Sequence, residues 1–198
     1  MSRWIAAFLS FAFAMAPNAI ADEACEAFVS SAVHAAFDHV ETQSHEDAFA
    51  AIQLTVKTTV DDLRLARFTL GRFAQTINER ELDLYRAALT EYLAAVLLDY
   101  LGGAQHLSIE VTQSVDRSAR DCVAETIVHQ DNQDDLLLMW RVIRDNQGLH
   151  IVDVATKQGG NTLWMSIELR AQFAELLDQN GGQVDALIAE LNARQFRH

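Results

Sequence analysis

Between Leu136 and Ile143 the chain reads Leu-Leu-Leu-Met-Trp-Arg-Val-Ile. As a strand, it places Leu136, Leu138, Trp140 and Val142 on one side. Leu137, Met139 and Ile143 lie on the other, interrupted only by Arg141. A strand that is apolar on both faces has to be covered on both. One face is expected to take packed helices. The other either meets a second protein layer or lines a cavity, and the residues alone fit both equally.

The strand sits in a longer run, residues 136–191, that repeats the surplus. Asp145-Asn146-Gln147-Gly148 is the turn into a second apolar strand, Gly159-Gly160 ends it, a helix follows, and Gly181-Gly182 separates it from a short last helix. Upstream, Leu107, Ile109, Val111 and Val115 alternate with Ser108, Glu110, Thr112 and Ser114, the period of a half-buried strand. Residues 122–130 form the next strand, with Val123 and Ile127 on one side. Asp131-Asn132-Gln133-Asp134 turns it into the strand at Leu136. Four strands joined by short turns predict an antiparallel meander.

The first half has a helical period instead. Val29, Val33, Phe37 and Val40 share one face over residues 26–41. Ser44, with Asp47 three residues on, is the expected N-cap of a helix carrying Phe49, Ile52 and Val56. Residues 61–76 space Leu63, Ala66, Leu70 and Phe73 as one helix. Thr76-Ile77-Asn78-Glu79 matches a capping box before the longest helix, which Gly102-Gly103 ends. Its stripe of Tyr85, Leu89, Tyr92, Val96 and Tyr100 suits either a helix packed on a sheet or the wall of a site for an amphiphile. Helices first, a four-stranded meander and two closing helices define an α+β fold.

Composition narrows the class. Residues 1–21 have a positive start at Arg3, an apolar run, a Pro17-Asn18 break and Ala19-Ile20-Ala21, the pattern of a cleaved secretory leader. The remaining 22–198 are expected to form a single domain. Net charge is −13, and since the leader holds one arginine and no acid, the mature chain is at −14. That acidity argues against nucleic acid and against adsorption to anionic headgroups, which both attract basic patches. Cys25 and Cys122 are the two cysteines, and an even pair in an exported chain predicts a disulfide.

No catalytic motif accompanies the apolar surplus. The chain lacks a Gly-x-Ser-x-Gly elbow, a His-Glu-x-x-His pair, a phosphate-binding glycine loop and a Cys-x-x-Cys. His34, His39 and His45 are spaced five and six apart, which scatters them around a helix rather than converging them on a metal. Residues 131–135 lack the glycine and terminal glutamate of a calcium loop. Glu168 and Arg170 read as a surface acid and a basic residue near a sheet edge. No catalytic residue, metal site or cofactor is expected.

Two motifs give the chain a relative. Leu65-Ala66-Arg67-Phe68-Thr69-Leu70-Gly71-Arg72-Phe73 resembles the "A…LGR(Y/F)W" helix of the MlaC family, also called the toluene-tolerance auxiliary proteins. Ile151-Val152-Asp153-Val154, then Gly160-Asn161-Thr162-Leu163, then Arg170, Phe173, Leu177, Gly181, Leu187 and Leu191 resemble that family's second signature. Asn161-Thr162 replaces the family's serine and is expected to supply a helix N-cap, and Ala74 replaces its tryptophan.

The resemblance implies a periplasmic phospholipid carrier, with acyl chains between sheet and helices. It implies a lining of Leu70, Phe73, Tyr85, Leu89, Tyr92, Val96, Trp140, Val142, Val152, Trp164 and Phe173. It also implies a monomer that meets an inner-membrane ABC transporter complex with its substrate-binding ring, and an outer-membrane lipoprotein complex. A hopanoid-associated sister group stays open, as does, from a different class, an exported enzyme or a ligand-free adaptor on the same scaffold.

Overall fold

The computed structural model describes residues 23–37, 44–102, 107–130 and 134–195. The leader, Asp38 to Gln43, the glycine at 103 and the turn at 131–133 lie outside the described residues, as do the side chains of Phe37 and Tyr100. Four helices come first: α1 (Glu23–Phe37), α2 (His45–Thr59), α3 (Asp62–Leu70) and α4 (Glu79–Gly102). The strands β1 (Leu107–Ser118), β2 (Asp121–Gln130), β3 (Leu136–Asp145), β4 (Gly148–Gln158) and β5 (Asn161–Trp164) follow. Helices α5 (Met165–Gln179) and α6 (Val184–Gln195) close the chain.

The α+β order is the expected one, and the sheet is an antiparallel meander in the order β1-β2-β3-β4-β5. It has five strands rather than four. Asn161 and Thr162, expected as helix caps, instead pair with Gln158 and Lys157, and α5 begins only at Met165. A glycine pair with positive φ at Gly159 (56°) and Gly160 (85°) makes the tight reversal that brings the chain straight back onto β4.

Local chemistry fixes the helix ends. Ser44 accepts the Asp47 N–H at 3.2 Å and starts α2. The capping box of α4 lies two residues later than Thr76-Glu79. Asn78 Oδ1 accepts the Glu81 N–H at 2.9 Å, and Glu81 Oε2 accepts the Asn78 N–H at 3.0 Å. The Thr76 hydroxyl donates to the Phe73 carbonyl instead. The single helix expected over 61–76 is broken at Gly71, whose φ of 58° and ψ of −123° end α3; a 3-10 turn, Gly71–Gln75, follows.

One core lies on the even-numbered face of β2 and β3. Cys122, Ala124 and Val128 from β2, Leu138, Trp140 and Val142 from β3 and Ile151 from β4 meet the inner faces of all six helices. A disulfide joins Cys25 on α1 to Cys122 on β2, with the Cα atoms 6.7 Å apart, and both cysteines are buried in that core. In β1 the alternation does not run through. The register shifts between Val111 and Gln113, and the residues beyond exchange faces. Ser114 is therefore buried, 6% exposed, and donates to Glu26 Oε1 at 2.8 Å, while Val115 is 42% exposed.

Candidate functional site

The opposite face of the sheet is covered only in part. Val123, Leu137, Met139, Arg141, Ile143, Asp153 and Ala155 share it, as the register pairs Val123 with Arg141, Arg141 with Asp153 and Met139 with Ala155. Val123, Val152 and Ala155 are buried without joining the main core. Where α3 and α5 lean over the β4 end of this face, they leave a cleft of about 400 Å³. That volume is within the roughly 300–1,000 Å³ typical of ligand pockets.

The cleft is apolar inside and cationic at its edge. Ile143, Val152 and Trp164 line it from the sheet, Leu65 and Phe68 from α3, and Ile167 from α5. Phe68 is 39% exposed and Ile167 53%, so both helices turn a large apolar side chain to the opening. Leu65 also belongs to the main core, which makes it the partition between cleft and interior. Arg64, Arg117 and Arg141 complete the lining with Asp153 and Ser166.

Asp153 ties sheet to helix. Its Oδ1 accepts the N–H groups of Val154 and Ser166, each at 3.0 Å, and Oδ2 accepts the Ser166 hydroxyl. Burial pushes its carboxyl above the ordinary range, opposed by the hydrogen bonds from Ser166 and Val154 and by the Arg141 charge. Arg141 donates through Nε and Nη2 to Asp121 at 3.2 and 2.8 Å. Arg170 lies outside, its guanidinium 5.0 Å from the centre of the Phe68 ring.

The expected lining residues fall into two groups. Val152 and Trp164 line the cleft. Leu70, Tyr85, Leu89, Trp140, Val142 and Phe173 are buried in the core, with Phe73 and Tyr92 packed against it; Val96 on α4 is half-buried. Phe173 meets the rings of Tyr85 and Tyr92 edge-on, each at 6.4 Å. The Tyr85 hydroxyl lies 2.7 Å from that of Thr69, and Trp140 Nε1 donates to Thr126 Oγ1 at 2.9 Å, so these polar tips are satisfied internally.

Sequence reasoning did not select Arg64, Leu65, Phe68, Arg117, Ile143, Asp153, Ser166 or Ile167 as lining. A signal for three of them was present: Leu65, Phe68 and Asp153 all stand inside the quoted motifs. Arg141 was visible too, as the one charge on an apolar strand face.

An apolar cleft with donors at its rim has the chemistry of a binding site. Among the described residues, no cluster of three or more His, Cys, Asp or Glu is placed to hold a metal, and no helix is long and apolar enough to cross a membrane. The chain belongs to the MlaC protein family, whose profile matches residues 29–193. Among solved structures it is similar to the phospholipid-binding protein from Ralstonia solanacearum, determined in complex with a phospholipid. The two share 20% identity with a TM-score of 0.72, over 86% of this chain and 96% of that one. No curated protein matched the sequence.

Proposed function

We propose that this chain is a carrier of phospholipid, exported to the periplasm by its leader and moving lipid between outer- and inner-membrane transport complexes. The observation that carries the reading is the cleft on the second face of the sheet, apolar within and open between Phe68 and Ile167. Family membership and the fold shared with a protein solved with phospholipid support it.

In this reading acyl chains enter between the helices and Val152 and Trp164, and extend past Leu65 towards Trp140, Tyr92 and Phe173 as the helical layer shifts off the sheet. A load of about 25 methylenes, at about 0.8 kcal/mol each, is held against water by an amount on the order of 20 kcal/mol. Lipid passing from a bilayer to an equally apolar pocket gains little, so exchange occurs at a docked partner and free release does not. The acidic surface keeps the carrier off anionic headgroups between dockings. The partners are an ABC transporter complex with its substrate-binding ring on one side and a lipoprotein complex on the other.

Native mass spectrometry of protein from a periplasmic extract tests the reading. A co-purifying diacyl phospholipid is the expected result. A pentacyclic triterpenoid would shift the cargo to the hopanoid class, which the Asn161-Thr162 and Ala74 departures keep in play. A bare protein mass, with no uptake from phospholipid vesicles, overturns the carrier reading.

A further inference from the structure

Three guanidiniums edge one cleft in a chain of net charge −13. Two are engaged. Arg64 Nε donates to Asp61 at 2.8 Å, and Arg141 is held by both oxygens of Asp121. Arg117 differs: among the described residues no carboxylate forms an ion pair with it, and its side chain is exposed. Its position is also irregular. Asp116 pairs with Cys122 and Ser118 with Asp121, so Arg117 is the extra residue of a bulge. Bulges re-aim the side chains they carry. Here the result is a guanidinium on the cleft beside Arg141 rather than one lost to solvent on an edge strand.

The acid in the lining forms no ion pair with Arg117 among the described residues, and its hydrogen bonds go elsewhere. Both oxygens of Asp153 are taken by Ser166 and Val154. What the cleft offers an incoming polar group is therefore donors, on the border of an apolar interior. A guanidinium presents a planar fork that matches two oxygens of a phosphate, and it keeps its charge at any working pH. The chain as a whole is acidic, so a guanidinium with no carboxylate partner among the described residues is a place where an incoming anionic group meets an attractive charge.

Resting on the carrier reading, we propose that Arg117 is a specificity-determining residue that engages the phosphate of a lipid with a net negative head, in preference to a zwitterionic one. Arg64 and Arg141, each paired with its own aspartate, add further N–H donors at the edge, and the acyl chains occupy the apolar lining behind them.

The test is competitive loading of the full mature chain from vesicles of equal phosphatidylglycerol and phosphatidylcholine, read by native mass spectrometry. Wild type is expected to favour phosphatidylglycerol severalfold, because both heads offer the phosphate and only phosphatidylcholine brings a cation that the Arg117 guanidinium repels. Arg117→Gln brings the ratio near one, and Arg117→Lys, which keeps the charge and loses the fork, falls between. Arg80→Gln makes the same change in net charge on an exposed position outside the cleft and leaves the ratio at the wild-type value. Circular dichroism and thermal unfolding of each variant confirm an intact fold.

Loading of neither lipid by wild type overturns the carrier reading and this proposal with it. Equal loading of both lipids by wild type, or an Arg117→Gln ratio equal to wild type, overturns the headgroup proposal alone. Millimolar inorganic phosphate separates the two sources of the anion. If it binds at Arg117, seen as a shift of the guanidinium Nε–H resonance, while wild type shows no lipid preference, the site is one for free phosphate and the lipid assignment falls.

Discussion

The Asp153 carboxylate, on β4, caps α5 by accepting the N–H of Ser166 at 3.0 Å. The helix has no cap of its own, because Trp164 occupies the N-cap position and makes no side-chain hydrogen bond there. A cap reaching in from the sheet does more than end a helix. It sets α5 against β4, and both residues line the cleft, so the same contact sets the width of the site. Removing it by Asp153→Ala leaves the buried Ser166 N–H and hydroxyl without an acceptor. The expected loss is about 1–3 kcal/mol in urea denaturation. Asp153→Asn keeps an acceptor oxygen and costs less. Equal stability of wild type and Asp153→Ala would show that α5 is held by packing alone.

The same carboxylate makes stability depend on pH. Burial raises its folded pKa above the ordinary value of 3.8, against the pull of Ser166, Val154 and Arg141. A raised pKa means that the fold binds the proton more tightly than the unfolded chain does. The stabilisation tied to that proton is fully present below the unfolded value and is lost as pH rises through the folded one. Wild type should therefore gain stability relative to Asp153→Asn as pH falls towards 3.8. Denaturation of both proteins across this range, with a carbon-13 titration of the carboxyl, checks the sign. A carboxyl midpoint below 3.8 would contradict it.

Thr69 and Tyr85 form a buried pair whose two members are unequal. The Thr69 hydroxyl donates back to the Leu65 carbonyl at 2.9 Å, which leaves its oxygen to accept from Tyr85. Burial pushes the Tyr85 hydroxyl far above its usual titration range, against the Thr69 bond, so it stays a donor throughout. Tyr85→Phe removes the donor and its need together, and costs about 0.5–1.5 kcal/mol. Thr69→Val strands the hydroxyl and costs about 1–3 kcal/mol. The double variant should lose less than the two single losses combined, and strict additivity in a double-mutant cycle would sink the pairing.

The disulfide pins α1 to the sheet across 97 residues. On the chain-entropy estimate a loop of that length stabilises by about 4–5 kcal/mol. Cys25→Ala with Cys122→Ala should lower the denaturation midpoint accordingly, and reductant should have no further effect on that variant. Alkylation of both thiols in unreduced, unfolded wild type would disprove the bond.

Much of this fold could be read from periodicity because most of its elements are amphipathic and have plain ends. Ile52 and Val56 on α2, and Trp140 and Val142 on β3, point where their spacing says. The failures occur where one residue breaks a period. A bulge after Val111 buries Ser114 and exposes Val115, and Gly71 cuts one predicted helix into two segments. The site was less legible. Arg64, Arg117, Arg141 and Ile167 come from four elements, and nothing local to any one of them announces that they meet. The apolar stripe of α4 was plain in the sequence, but periodicity measures burial and does not say whether the neighbour is protein or lipid.

That last distinction can be forced by filling each region in turn. Ile143 lines the cleft, whereas Val96 is half-buried on α4, whose stripe includes Tyr85 in the core and Tyr92 packed against it. Ile143→Trp puts an indole into the cleft, and phospholipid uptake from vesicles should fall severalfold with the fold intact. Val96→Trp should also weaken loading if acyl chains pass Leu65 into the interior. Uptake lowered by Ile143→Trp and untouched by Val96→Trp would confine the lipid to the cleft and leave the α4 stripe as core. Full uptake in both variants would mean that neither region holds lipid, and the carrier reading would then lose the geometry that supports it.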